Sequence, residues 1–125
     1  MNEPIFSVLS GKYPNGFVAT GMGIGDGLTY NTYNYCGAGS DSKPKWCDND
    51  FGDYSFVYLT DWPCGDSEEL VSGWFFWTMG PELFYPGGGS LDSPPTGPYY
   101  YWSQYAFGAC GQNPGNPITL TFTAM

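Results

Sequence analysis

The chain has no histidine and no arginine, and only three lysines, Lys12, Lys43 and Lys45, against twelve carboxylates. Each shortage closes off a class of function. Without histidine the commonest general base is gone, and neither a Ser-His nor a Cys-His nucleophile can be built. Without arginine there is no bidentate clamp for phosphate or carboxylate. At a net charge of −9, three lysines cannot neutralise a run of phosphates, so nucleic acid is excluded as a partner. An anionic membrane surface is excluded for the same reason. No apolar run approaches the ~18–20 residues of a membrane-spanning helix; the longest, around Trp74 to Trp77, is strand-sized.

Aliphatic residues are also scarce. Leu, Ile, Val and Phe account for 23 of 125 residues, which beside this net charge would ordinarily signal disorder. Eleven Tyr and five Trp lie outside that count, and only 12% of residues are charged. Each Tyr or Trp can remove about 150–250 Å² from water. The expected core is therefore aromatic, in a single domain spanning residues 1–125.

Met1-Asn2-Glu3-Pro4 offers an acid and a proline where a signal peptide needs a basic start and an apolar stretch. The composition is nonetheless of extracellular style, with four Cys, 19 Gly and 11 Pro. Two expectations reconcile these: a mature secreted domain with an added Met, or a protein released by lysis, as virus particles are. Either way the expected location is extracellular or a virion surface.

Gly and Pro recur too often to sustain a helix, with one turn near Ser67 to Val71 the exception. Alternation and aromatic enrichment mark strands at Ile5–Leu9, Gly16–Met22, Leu28–Tyr35, Tyr54–Thr60, Leu70–Met79, Tyr99–Phe107 and Ile118–Thr123. The last is the cleanest, with Ile118, Leu120 and Phe122 inward and Thr119, Thr121 and Thr123 outward. Tyr13-Pro14-Asn15-Gly16 reads as a tight turn. The expected fold is all-β: an antiparallel β-sandwich or jelly-roll-like barrel of about seven to eight strands with Gly/Pro-rich turns.

The four cysteines allow three pairings. Zinc needs closely spaced ligand pairs or histidine, and spacings of 11, 17 and 46 supply neither. Redox chemistry needs Cys-x-x-Cys, which is absent. The preferred reading is two disulfides, Cys36–Cys47 and Cys64–Cys110, contributing roughly 2–3 kcal/mol and somewhat more in the loop-entropy model. Four buried free thiols in a cytosolic protein are the bland alternative.

Paired carboxylates are the remaining route to catalysis. Glu68 and Glu69 point to opposite faces of a strand, and nothing recommends Asp61 with Glu82. The chain is read as not an enzyme and as needing no cofactor. One metal candidate remains: Asp48, Asp50 and Asp53, in a run containing Gly52, offer hard oxygens suited to calcium. The EF-hand offsets fail, since Leu59 stands where the bidentate Glu belongs. A solvated Asx-rich turn is the favoured reading of this loop.

The aromatic clusters carry the functional signal. Trp74-Phe75-Phe76-Trp77 and Tyr99-Tyr100-Tyr101-Trp102, followed by Tyr105 and Phe107, place consecutive rings on alternating faces. One core cannot take them all, so an exposed aromatic interface is expected; the opposing expectation is a two-layer fold burying both faces of a central strand. The candidate binding residues are Trp74, Trp77, Tyr99, Tyr100, Tyr101, Trp102 and Tyr105. Two functions fit. The preferred one is a structural protein of a virus particle, most specifically a bacteriophage capsid decoration or cement protein binding coat subunits or forming a homo-oligomer. The alternative is a secreted carbohydrate-binding module or lectin stacking rings on sugars.

Overall fold

β-Branched and aromatic residues alternating between Gly/Pro turns leave strand pairing as the way to satisfy the backbone, and the chain pairs each strand with the next. The computed structural model describes residues 13, 16–21, 31–38, 44–48, 54–66, 69–77, 82–88 and 93–125. Among these, eight strands occur: β1 (Phe17–Thr20), β2 (Asn31–Ala38), β3 (Pro44–Asp48), β4 (Ser55–Cys64), β5 (Glu69–Trp77), β6 (Leu83–Tyr85), β7 (Gly97–Tyr101) and β8 (Ile118–Ala124). They form a closed antiparallel barrel in sequence order. The ring is completed by β1 on β8, Phe17 opposite Ala124 and Ala19 opposite Phe122. The all-β antiparallel barrel is thus realised in its simplest, up-and-down connectivity.

An eight-stranded barrel is just wide enough for its inward side chains to fill it. Here the filling is aromatic. Phe17, Tyr33, Trp46, Phe56, Trp74, Phe76 and Tyr99, with Leu83 and Leu120, are fully buried. Phe56 sits among them, its ring centroid 4.6 Å from Phe76, 5.0 Å from Tyr33 and 5.2 Å from Phe122. Most of these contacts are tilted or edge-to-face, the geometry that aromatic quadrupoles prefer. The Trp46 indole N–H is the one polar cost in this interior, buried without a hydrogen-bond partner among the described residues.

Several elements differ from expectation. The Ile5–Leu9 strand lies outside the described residues. The turn before β1 closes as expected, Gly16 N–H donating to the Tyr13 carbonyl at 3.0 Å; Gly16 has φ +93°, and a Cβ there would sit on the Tyr33 carbonyl. Near Ser67–Val71, residues 69–71 are strand rather than helix, Glu69 opposite Cys64 and Val71 opposite Trp62. The strand expected over Tyr99–Phe107 ends at Tyr101. Its continuation is one helical turn, α1 (Trp102–Tyr105), which brings Trp102 and Tyr105 side by side over Phe84. Strands β3 and β6 were not anticipated. β3 is short and carries Pro44 and Lys45; β6 has only three residues.

The surplus of rings finds its place in a second core on the outer wall of β4, β5 and β6. Val57, Leu59, Phe75 and Phe84 are buried there, beneath Trp62, Val71, Trp77, Trp102 and Tyr105. Along β5 the expectation of exposed rings gives way to the opposing one, burial of both faces of a central strand: Trp74, Phe75 and Phe76 are all fully buried. Strand alternation sends Trp74 and Phe76 into the barrel and Phe75 and Trp77 to its outside, and the segment following β7 covers the outside. Gly73 makes this possible: a Cβ at that position would meet Phe84 Cε1 at 3.0 Å.

Candidate interaction surface

The outer wall is assembled from three pieces. β5 supplies Phe75 and Trp77. β4 supplies Trp62, aimed by a bulge in which Thr60 and Asp61 together face one residue of β5 between the pairs Leu59–Gly73 and Trp62–Val71. Asp61 takes the left-handed conformation at φ 53°, alone among the described non-glycine residues, and donates its N–H to Ser72 Oγ at 2.9 Å. Asp tolerates that region better than most residues. The extra residue puts Trp62 on the outer face, 6.2 Å from Phe75 and 5.8 Å from Trp77.

The third piece is the segment running from α1 to Cys110. Trp102 N–H donates to the Glu82 carbonyl at 2.9 Å, fixing its start beside β6. Trp102 and Tyr105 then stand 5.2 and 5.1 Å from Phe84. At the far end, Asp66 N–H donates to the Gly108 carbonyl at 2.7 Å, and Cys110 is bridged to Cys64 with Cα atoms 5.4 Å apart. The second disulfide joins Cys36 on β2 to Cys47 on β3. These are the two bridges preferred from the sequence, and among the described residues no cysteine is free.

The candidate binding residues now divide. Trp74 and Tyr99 are fully buried inside the barrel, so the folded chain offers no surface at either, which corrects their assignment. Tyr99 donates its hydroxyl to the Pro95 carbonyl at 2.8 Å. Burial, reinforced by the phenols of Tyr85 and Tyr13, pushes its pKa well above the usual range. Trp77, Tyr100, Tyr101, Trp102 and Tyr105 are half-buried. Trp77, Tyr100, Trp102 and Tyr105 belong to the outer wall, whereas Tyr101 packs against the interior core. The Tyr105 pKa is raised by burial first, then by the Glu69 carboxylate and by Tyr100. Asp48 is buried on β3; Asp50 and Asp53 lie outside the described residues. Among the described residues, no three metal-ligating side chains are grouped, and no helix is long and apolar enough to cross a membrane.

Three large apolar side chains are exposed among the described residues: Phe107 at 79%, Leu70 at 56% and Met125 at 48%. Sequence reasoning named neither Leu70 nor Phe107 among the binding residues, although it drew its candidates from the same two segments. The readable signal was Phe107 between Ala106 and Gly108, close to a half-cystine, a setting with little around it to bury a ring.

Comparison of the chain with family models, with curated proteins and with solved structures finds no match. The chemistry of the molecule itself therefore carries the functional reading. It is an all-β barrel with two disulfides and two aromatic cores, and among its described residues no group of side chains could hold a metal ion.

Proposed function

We propose that the protein is a non-enzymatic interaction protein working outside the reducing cytosol, and specifically a decoration or cement protein that binds coat subunits on a bacteriophage head. The observation that carries this reading is that two of the three large apolar side chains exposed among the described residues, Leu70 and Phe107, lie at one end of a twice cross-linked barrel. Exposed apolar groups held on a stiff frame suit a fixed protein partner. The disulfides suit an oxidising setting. A charge of −9 keeps the protein off the packaged nucleic acid. The absence of histidine and arginine leaves little with which to do chemistry.

A second reading, a carbohydrate-binding module, is favoured by one feature: Trp102 and Tyr105, both half-buried, lie within 21° of parallel with centroids 6.0 Å apart, and parallel rings can stack on sugars. The experiment that separates the two is co-sedimentation of the purified protein with capsids built from the coat protein of the same genome, beside a pull-down on insoluble polysaccharide. Saturable sedimentation with capsids is expected. Binding to polysaccharide alone, abolished by Trp102→Ala, would overturn the capsid reading.

A further inference from the structure

The β4–β5 hairpin outruns its neighbours. Strand β3 pairs with β4 only as far as Val57, and β6 pairs with β5 only as far as Trp74. Beyond those points, Trp62–Val71, Pro63–Leu70 and Cys64–Glu69 pair with each other and with no further strand among the described residues. A two-stranded ribbon alone is marginal in water. This one is braced on one face by the Cys64–Cys110 disulfide, by Trp62 against Phe75, and by the Asp66–Gly108 hydrogen bond.

Alternation puts Leu70 and Pro63 on the opposite, unbraced face, where both are exposed. Phe107, next to Gly108, flanks the tip from the braced side. The ribbon thus carries exposed apolar groups on both of its sides. Asp61, Asp66 and Glu69, all exposed, stand among them. The one described lysine, Lys45, lies on β3.

We propose that this arm is a tongue that enters a cleft on a cationic protein surface, with Leu70 and Phe107 against the apolar walls and the three carboxylates against lysines or arginines at the rim. The inference rests on the protein-binding reading above and names the element that performs it. Apolar groups on two sides fit a cleft better than a flat face, and the carboxylates select its charge. A second copy of this chain is the wrong occupant, because two arms laid edge to edge would bring like charges together on chains of net charge −9.

The test uses the full-length protein with two variants, Leu70→Ser/Phe107→Ser, which leaves net charge unchanged, and Asp61→Asn/Asp66→Asn/Glu69→Gln. Both change exposed side chains, and circular dichroism checks that each folds. Two probes are used: the capsids described above, and a labelled synthetic peptide of alternating Lys and Leu followed by fluorescence anisotropy. The expected result is that each variant weakens binding to both probes by about tenfold or more, the energetic equivalent of one well-buried contact. Capsid binding that survives in the Leu70→Ser/Phe107→Ser variant would overturn the tongue and leave the capsid reading standing. No capsid binding by the unaltered protein would sink the capsid reading; the tongue would then stand or fall on the peptide. Equal peptide affinity of the unaltered and serine-substituted proteins overturns the tongue, as does binding to phosphatidylcholine vesicles that the serine variant loses.

Discussion

The interior of the barrel and its covered outer wall are both aromatic cores, but they are held together differently. Inside, rings arrive from every side of a closed sheet: Phe17 from β1, Tyr33 from β2, Trp46 from β3, Phe56 from β4, Tyr99 from β7 and Phe122 from β8. Each is confined by backbone hydrogen bonds all round. Outside, Phe75 and Phe84 are covered partly by Trp62, Val71 and Trp77 of the β4–β5 hairpin itself and partly by Trp102 and Tyr105, on a segment that crosses the wall and is tied down at Cys110. The first core is a property of the sheet. The second is in part a property of a strap, and it depends on one covalent bond and a few half-buried rings.

That contrast predicts a graded series of effects. Phe56→Ala should be the most damaging, leaving a void at the centre of the barrel and costing about 4–5 kcal/mol; chemical denaturation measures it, and a loss below 2 kcal/mol would mean the interior can collapse around the gap. Replacing both Cys64 and Cys110 with Ser should cost about 4 kcal/mol in the loop-entropy model for a separation of 46 residues. The outer wall should open first, seen as faster amide exchange over α1 than over β1 and β8. Uniform loss of protection would show that the two cores are one cooperative unit.

Trp102→Ala removes one half-buried ring from the strap and should cost about 2 kcal/mol. Its near-ultraviolet circular dichroism should change while thermal unfolding remains a single transition. Smallest at neutral pH is Tyr99→Phe, which forfeits the hydrogen bond to Pro95 and about 1 kcal/mol. Its larger signature is alkaline. Because the folded-state pKa of Tyr99 is raised, the folded chain keeps a proton that the unfolded chain releases above about pH 10. Stability is therefore flat below that pH and falls as pH rises toward the folded value, by up to about 1.4 kcal/mol per pH unit for this group. The Phe variant should lose much of that fall, and an unchanged alkaline profile would count against a buried phenol.

Much of the inner core was legible in the residues. The alternation of Ile118, Leu120 and Phe122 against three threonines fixes which face of β8 is wet, and the same parity sorts Trp74 and Phe76 from Phe75 and Trp77. That the cysteines form disulfides was legible too, since zinc and redox spacings fail; the pairing Cys36–Cys47 and Cys64–Cys110 was preferred among three that the sequence alone does not choose between, and the structure has it. The strap was not. Residues 99–107 carry a strand-like density of aromatics, and only the tertiary tie to Cys64, with Phe84 available as a floor, turns the chain into α1 at Trp102. The length of the β4–β5 arm was hidden as well, since a bulge at Asp61 shifts the alternation and no local rule announces it.

The next-neighbour strand order has a consequence for synthesis. Among the described residues, seven of the eight pairings join strands adjacent in sequence and can form as hairpins while the chain emerges from the ribosome. The eighth, Phe17 with Ala124, cannot, so β1 must wait with an unmatched edge until nearly every other strand has been made. Loop closure over that span is slow compared with hairpin formation. The interval is when neighbouring nascent chains could capture the waiting strand in place of β8.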